Sequence, residues 1–272
     1  MTSPAAHTVL VTGASSGIGA EVARQFVARG LRVFGTSRNP DTVADPIPGV
    51  TYVRLDNADY ASATACAAEV GEIDILVNNA GESAAGALED TPMAAIEALF
   101  AVNVFGPIAL TKAVLPGMRE RRRGTVLMIG SMLSSFPVAF RSNYAATKSA
   151  LKAYALATRR EVAPFGIRMI SVEPGTIATG IGERRTVHID PDGPYAAEYE
   201  TLAAATRRNE QAGIDAATMA RVIVDAALAD HPKPFYAKGN SAAIVFVLRR
   251  LLPRQLILDV TARKHGLTRR AV

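Results

Sequence analysis

A single cysteine, Cys66, stands in the 272-residue chain, so no disulfide can close within it and no thiolate cluster can hold a metal. The four histidines (His7, His188, His231, His265) are scattered without ligand spacing, and no metal is expected. No apolar run approaches the ~18–20 residues that a membrane helix needs. The first residues, Met1 to His7, lack the basic stretch and following apolar segment of a signal peptide. From these two absences a cytoplasmic location is expected. Basic residues outnumber acidic ones, 30 to 25, but they are spread along the chain apart from the Arg119–Arg123 run and the C-terminal tail. That run reads as the solvated end of a helix, where cations suit the dipole, and no nucleic-acid partner is expected. What the chain does hold is a globular core: 49% of residues are hydrophobic and 20% charged.

The apolar run Thr8–Val11 reads as a buried strand feeding Thr12-Gly13-Ala14-Ser15-Ser16-Gly17-Ile18-Gly19, after which Val22, Phe26 and Val27 fall at helical spacing. Strand, glycine-rich turn and helix in that order form a pyrophosphate cradle. The glycines admit close backbone approach, and the helix N-terminus supplies donors and partial positive charge. A second strand, Leu31–Thr36, ends at Ser37-Arg38. An acidic residue there would take a ribose 2′-hydroxyl, whereas Arg38 suits a 2′-phosphate, which favours NADP(H) over NAD(H). Further strands are read at Thr51–Leu55, Ile73–Val77, Thr125–Ile129 and Ile167–Val172, with a short last one at Pro234–Tyr236. Between them lie alanine-rich helical stretches, including a long one from Pro92 to about Met118 kinked at Pro107 and Pro116. Strands alternating with helices, with no internal repeat, predict an α/β fold: one doubly wound parallel sheet of about seven strands in a single domain over 1–272.

Ser131 follows the fifth strand and a glycine, which places its hydroxyl at a strand's carboxyl end, where such sheets bind ligands. Tyr144 and Lys148 lie one turn apart on the helix-forming run Tyr144–Arg160. A free tyrosine, with a pKa near ~10, exchanges protons poorly at neutral pH. A fixed ammonium nearby favours the phenolate and brings the group toward useful acid/base strength. Such a pair also occurs as an ordinary amphipathic pair with wet tips. Asn103 reads as a buried amide, and Asn78-Asn79-Ala80-Gly81 as a polar strand end able to line a cleft. Residues 180–213 turn polar and less periodic and read as a substrate lid. Asp215 is expected to cap a helix running to Ala229. Residues 241–272 read as an apolar, basic helical extension that packs over the substrate pocket or a subunit interface. Shallow attachment of that tail to a membrane surface is the minority alternative.

Taken together, Thr12-Gly13-x-x-x-Gly17-x-Gly19, Asn78-Asn79-Ala80-Gly81, Asn103, Ser131, Tyr144-x-x-x-Lys148 and Pro174-Gly175 resemble the short-chain dehydrogenase/reductase family over roughly the first 180 residues. Gly130 before the serine, together with Ser37-Arg38, resembles its hydroxysteroid and retinol dehydrogenase branch. The resemblance implies a Rossmann fold and hydride transfer with a nicotinamide cofactor. It implies that Tyr144 is the general acid or base, that Ser131 polarises the substrate oxygen, that Lys148 binds the nicotinamide ribose, and that Asn103 anchors a water in a proton relay. It further implies that Gly13, Ser15, Ser16, Gly17, Ile18 and Gly19 meet the cofactor phosphates. Arg38 would meet the 2′-phosphate, Asp56 the adenine, and Asn79, beside Ala80 and Gly81, the adenosine-side ribose. Pro174, Gly175, Thr176 and Thr179 would meet the nicotinamide end or the phosphates.

The leading reading is an NADP(H)-dependent oxidoreductase interconverting a ketone or aldehyde and an alcohol, on a bulky apolar substrate of steroid or retinoid kind, assembled as a homodimer or homotetramer. The apolar character follows the branch resemblance and the Ser134–Phe140 segment, which would border the pocket. A ketoreductase of polyketide or fatty-acyl intermediates is the second enzymatic reading. A dinucleotide-binding regulator is the non-enzymatic one, though it has no need of the Ser–Tyr–Lys set. A sugar-nucleotide epimerase ranks below these because its glycine spacing normally differs.

Overall fold

The computed structural model describes residues 7–178, 180, 182 and 184–267. The chain begins β1 (Thr8–Val11), α1 (Gly17–Ala28), β2 (Arg32–Ser37), β3 (Val50–Arg54), α2 (Tyr60–Val70), β4 (Ile75–Asn78) and β5 (Ala84–Gly86). It continues through α3 (Met93–Phe100), α4 (Gly106–Glu120), β6 (Gly124–Ile129), α5 (Ser142–Val162) and β7 (Ile167–Pro174). Then come β8 (Ile177–Ala178), β9 (Thr186–His188), α6 (Ala196–Gln211), β10 (Ile214–Asp215), α7 (Ala216–Leu228), β11 (Phe235–Lys238), α8 (Ala242–Leu251) and α9 (Arg254–Lys264).

Seven strands form one sheet in the order β3-β2-β1-β4-β6-β7-β11. Every pairing in it is parallel. The architecture is therefore the doubly wound α/β sheet expected from the sequence. Its strands read as continuous apolar runs because both faces are covered. Val9 and Val11 of β1, Ile75 and Val77 of β4, and Leu127 and Ile129 of β6 share one core with Phe26 of α1 and Ile223 of α7. The alternating residues Leu10, Leu76, Val126 and Met128 point to the other face, where Cys66 of α2, Leu110 and Met118 of α4 and Leu151 of α5 close over them. Burying each such leucine contributes roughly 1.5–3 kcal/mol, so removing one side chain from either layer weakens the whole sheet. The strand order reverses between β1 and β4, and the crevice at that reversal is where the site lies.

In the long helix from Pro92 the helical register changes at a π turn over Ala101–Phe105, which carries buried Asn103 and Val104 and runs directly into Pro107. One expectation, that of location, needs correction. With that turn included, Met93–Glu120 is one helical run of 28 residues, long and apolar enough by length and composition to cross a membrane. The claim that no segment approaches a membrane helix therefore fails, and the cytoplasmic location drawn from it falls with it. Pro107, Pro116 and Thr111 break up the apolar stretch in the sequence and hide its length. The first six residues, which also entered that expectation, lie outside the described residues.

Candidate active site

The glycine-rich turn after β1 is built for close approach. Gly13 and Gly17 hold φ of 66° and 58°, backbone that side-chain-bearing residues rarely adopt. A Cβ on Gly19 would lie 2.3 Å from the Gly13 carbonyl oxygen and 2.5 Å from Asn79 Nδ2. Thr12 ties this turn to the end of β4. Its hydroxyl accepts from the backbone N–H of Asn79 and of Ala80, both at 2.9 Å, and Asn79 Nδ2 donates to the Thr12 carbonyl at 2.9 Å. Gly13, Gly19, Asn79 and Ala80 are thus brought together at the strand-order reversal. Ser15 and Ser16 are exposed beside them, and Ser16 Oγ accepts from Arg184 at 3.2 Å.

Arg38 lies just past β2, strongly exposed, with the Glu82 carboxylate at 4.0 Å. Asp56 is half-buried and accepts from the Ala58 N–H at 2.9 Å. The Pro174-Gly175-Thr176 corner is held by Asn240. Its Oδ1 accepts from the Thr176 N–H at 2.7 Å, and its Nδ2 donates to the Thr176 hydroxyl at 3.0 Å. Thr179 lies outside the described residues.

Tyr144 and Lys148 are buried on one face of α5. Lys148 Nζ donates to the Ile129 carbonyl at 3.1 Å and stands 5.8 Å from the centre of the Tyr144 ring. A Cβ on Gly81 would meet Asn103 Oδ1 at 2.9 Å and Lys148 Nζ at 3.2 Å, so a bare backbone is needed where these two meet. Asn103 is fully buried. Its Oδ1 accepts from the Glu82 N–H at 2.8 Å, and its Nδ2 donates to the Glu82 carbonyl at 2.9 Å and the Thr147 hydroxyl at 3.2 Å. Its amide therefore pins the segment after Gly81 to α5. Ser131, half-buried, caps a short turn through the Leu133 N–H at 3.2 Å.

Ser131, Tyr144, Lys148, Asn79, Gly81, Ile18 and the Pro174–Thr176 corner all line one cavity of about 350 Å³. Leu133, Phe136 and Val138 form one apolar wall, and Val245, Leu248, Leu252, Ile257 and Val260 of the C-terminal helices form another. Phe246 anchors α8 there, edge-on to Phe136 at 5.1 Å and to Phe235 at 5.2 Å between ring centres. The lining is mainly hydrocarbon, with a polar cluster at the α5 end.

Sequence reasoning missed three of those polar residues. Arg141, at the N-cap of α5, lies with its guanidinium 4.8 Å from the Tyr144 ring centre and donates to Ser83 Oγ at 3.0 Å. Arg185 donates to the same hydroxyl at 3.2 Å and pairs with Glu210 of α6. Burial, and then the charge of Arg185, push the Arg141 guanidinium down to about 10. Burial also pushes the Tyr199 phenol up, and burial lowers the pKa of His265 at the cavity edge. The available signal was Arg141 standing where Ser, Thr, Asp or Asn usually caps a helix. Asn240 escaped notice because its role is to hold the distant Thr176 by hydrogen bonds.

The fold and this arrangement define a dinucleotide-binding oxidoreductase type, and comparison with known proteins agrees. The family model described as short chain dehydrogenase matches residues 7–189. Dehydrogenase/reductase SDR family member 7B of Xenopus laevis is 35% identical over 193 residues, 65% of this chain and 60% of that protein. Human retinol dehydrogenase 8 is 37% identical over 187 residues, 64% of this chain and 60% of that protein. The match therefore spans about three-fifths of the length of these curated relatives. A short-chain dehydrogenase from Streptomyces avermitilis superposes with a TM-score of 0.79 at 36% identity, covering 92% of this chain and 93% of that one. The chain belongs to the short-chain dehydrogenase family of NAD(P)-dependent oxidoreductases.

Proposed function

We propose that this protein is an NADP(H)-dependent oxidoreductase that interconverts a ketone or aldehyde and the corresponding alcohol, with Tyr144 as general acid and base. The observation carrying this reading is that Ser131, Tyr144 and Lys148 line one cavity together with the turn at Ile18 and the Asn79–Gly81 strand end. The residues fit a dinucleotide: the cradle leaves no room for a Cβ at Gly19 and holds Gly13 and Gly17 at positive φ, and Gly81 leaves Lys148 Nζ open to the cleft. A nicotinamide held there supplies or receives the hydride.

In reduction, the Tyr144 hydroxyl gives its proton to the substrate oxygen; in oxidation it takes the proton back. The Ser131 hydroxyl donates to the same oxygen and favours the charge that develops on it. Lys148 holds the nicotinamide ribose and sets a positive charge beside the phenol. Asn103 acts chiefly by locking the Glu82 backbone to α5, which fixes the wall opposite Lys148. The apolar walls exclude water and suit a bulky hydrocarbon body. In this reading the chain is one domain, with residues 180–213 as a substrate lid and 241–272 as a C-terminal extension. It assembles as a homodimer or homotetramer.

Arg38 decides the cofactor, since its exposed guanidinium meets a 2′-phosphate and no acidic residue ends β2. The test is fluorescence titration with NADPH and NADH, followed by assay of NADPH oxidation with steroid, retinoid and acyl ketones. NADPH is expected to bind at least about tenfold more tightly, as charged hydrogen bonds of this kind provide, and Arg38→Asp is expected to invert the order. An unchanged ratio in the variant refutes the role of Arg38.

A further inference from the structure

The polar end of the cavity is poorly balanced in charge. Arg141 is more than nine-tenths buried, and its Nε has no hydrogen-bond partner among the described residues. Its Nη2 shares the Ser83 hydroxyl with Arg185, so one neutral acceptor serves two guanidinium groups. Among the described residues, the one carboxylate in this group, Glu210, is engaged by Arg185. A buried cation normally has its own counter-charge, because desolvation without one is costly. Burial and the neighbouring arginine have already pushed the Arg141 guanidinium down to about 10, as expected of a cation short of an anion. Among the described residues that line the cavity, Arg141, Lys148, Arg185 and Lys264 face Glu82 and Glu210, and Glu82 lies 4.0 Å from Arg38. The α5 N-terminus adds partial positive charge at the same end.

We propose that the substrate carries a carboxylate, received by Arg141 and Arg185 at the α5 end of the cavity, while its hydrocarbon body lies against the walls from α8 and α9. This deepens the oxidoreductase reading above and rests on it. The Arg141 guanidinium lies 4.8 Å from the Tyr144 ring centre, so the acid group belongs a few bonds from the carbonyl that Tyr144 protonates. The class is an oxo acid or hydroxy acid with an apolar body. A planar guanidinium meets a carboxylate through two parallel N–H donors, which fixes the substrate's orientation as well as holding it.

The test compares benzoylpropionate with its methyl ester as substrates for the NADPH-loaded enzyme. It also compares phenylbutyrate with phenylbutanol as ligands of the NADP-loaded enzyme by calorimetry. The acid is expected to exceed the ester in kcat/KM by about tenfold to a hundredfold, the range charged hydrogen bonds supply. Phenylbutyrate is expected to bind more tightly than the alcohol by a similar factor. Arg141→Gln and Arg185→Gln should each bring the acid-to-ester ratio toward unity; should the buried Arg141 variant fail to fold, Arg185→Gln carries the test. An ester or alcohol equal to or better than its acid overturns the proposal, as does a ratio that survives both folded variants while only their melting temperatures fall. If neither ketone is turned over, the oxidoreductase reading is at fault, and the calorimetric comparison still judges the anion pocket by itself.

Discussion

At Tyr144 the ring is fixed before any substrate arrives. The Arg141 guanidinium lies against it, and the Tyr144 carbonyl accepts from the Thr147 hydroxyl at 2.8 Å. Tyr144→Phe keeps the ring and these contacts and removes only the exchangeable proton. Turnover is expected to fall about 10²–10⁴-fold, the usual contribution of a general acid or base, while NADPH affinity by fluorescence titration stays within about twofold. Undiminished turnover would remove Tyr144 from the chemistry. Cys66 is the opposite kind of residue, reactive in type but silenced by its place. Burial first, and then Glu69, push its thiol from an ordinary value of 9.0 to about 12. The native protein is therefore expected to resist iodoacetamide at neutral pH and to be alkylated once unfolded. Because the folded value is the raised one, the stability linked to this thiol is intact below pH 9.0 and is lost as pH rises toward about 12. A melting temperature that rises over that window would contradict the linkage.

Among the elements, those with an uninterrupted physical pattern were legible and those assembled from distant parts were not. β1 was read at its observed bounds because Thr8–Val11 is buried at every position. The glycine turn, Ser131, Tyr144 and Lys148 were legible because short spacings fix their relation. α6 was hidden: Tyr199, Leu202, Ala203 and Ala205 are buried, but they alternate with Glu198, Glu200, Arg207 and Arg208 in a stretch that looks like a polar loop. β5 and β9 pair across a hundred residues, a relation no local pattern carries. Arg141, Arg185 and Glu210 meet only once α6 has folded back over the end of α5. The tail helix α8 is likewise explained by a distant contact, since Phe246 packs on Phe136 and Phe235. Edge-on aromatic pairs contribute roughly 0.5–1.5 kcal/mol each beyond area burial. Phe246→Ala is therefore expected to loosen the α8 wall and raise KM for apolar ketones about tenfold, with little change in the NADPH dissociation constant. An unaltered KM would show that α8 does not shape the pocket.

At the scale of the whole molecule, the layer of α2, α4 and α5 carries an apolar surface away from the cavity's mouth. Tyr60 of α2, Phe105 in the π turn and Tyr154 of α5 are 50%, 46% and 47% exposed, and Ile108 and Ala109 of α4 lie in the groove between them. The inward faces of α4 and α5 are committed to the sheet through Leu110, Met118 and Leu151, so these residues cannot turn inward to escape water. Aromatic residues flanked by small ones on two long helices make a self-complementary face, and a two-fold pairing of copies covers both at once. We expect this face to form the interface of the proposed homodimer or homotetramer. A carboxylate placed at its centre would be desolvated on both sides of the two-fold, at a cost of several kcal/mol. Tyr154→Glu should thus convert the assembly to a monomer by sedimentation equilibrium at micromolar concentration. Its melting temperature should lose its dependence on protein concentration, since association no longer contributes to stability. A Tyr154→Glu protein of unchanged mass in solution would place the interface elsewhere, and a wild-type protein that sediments as a monomer would remove the assembly itself.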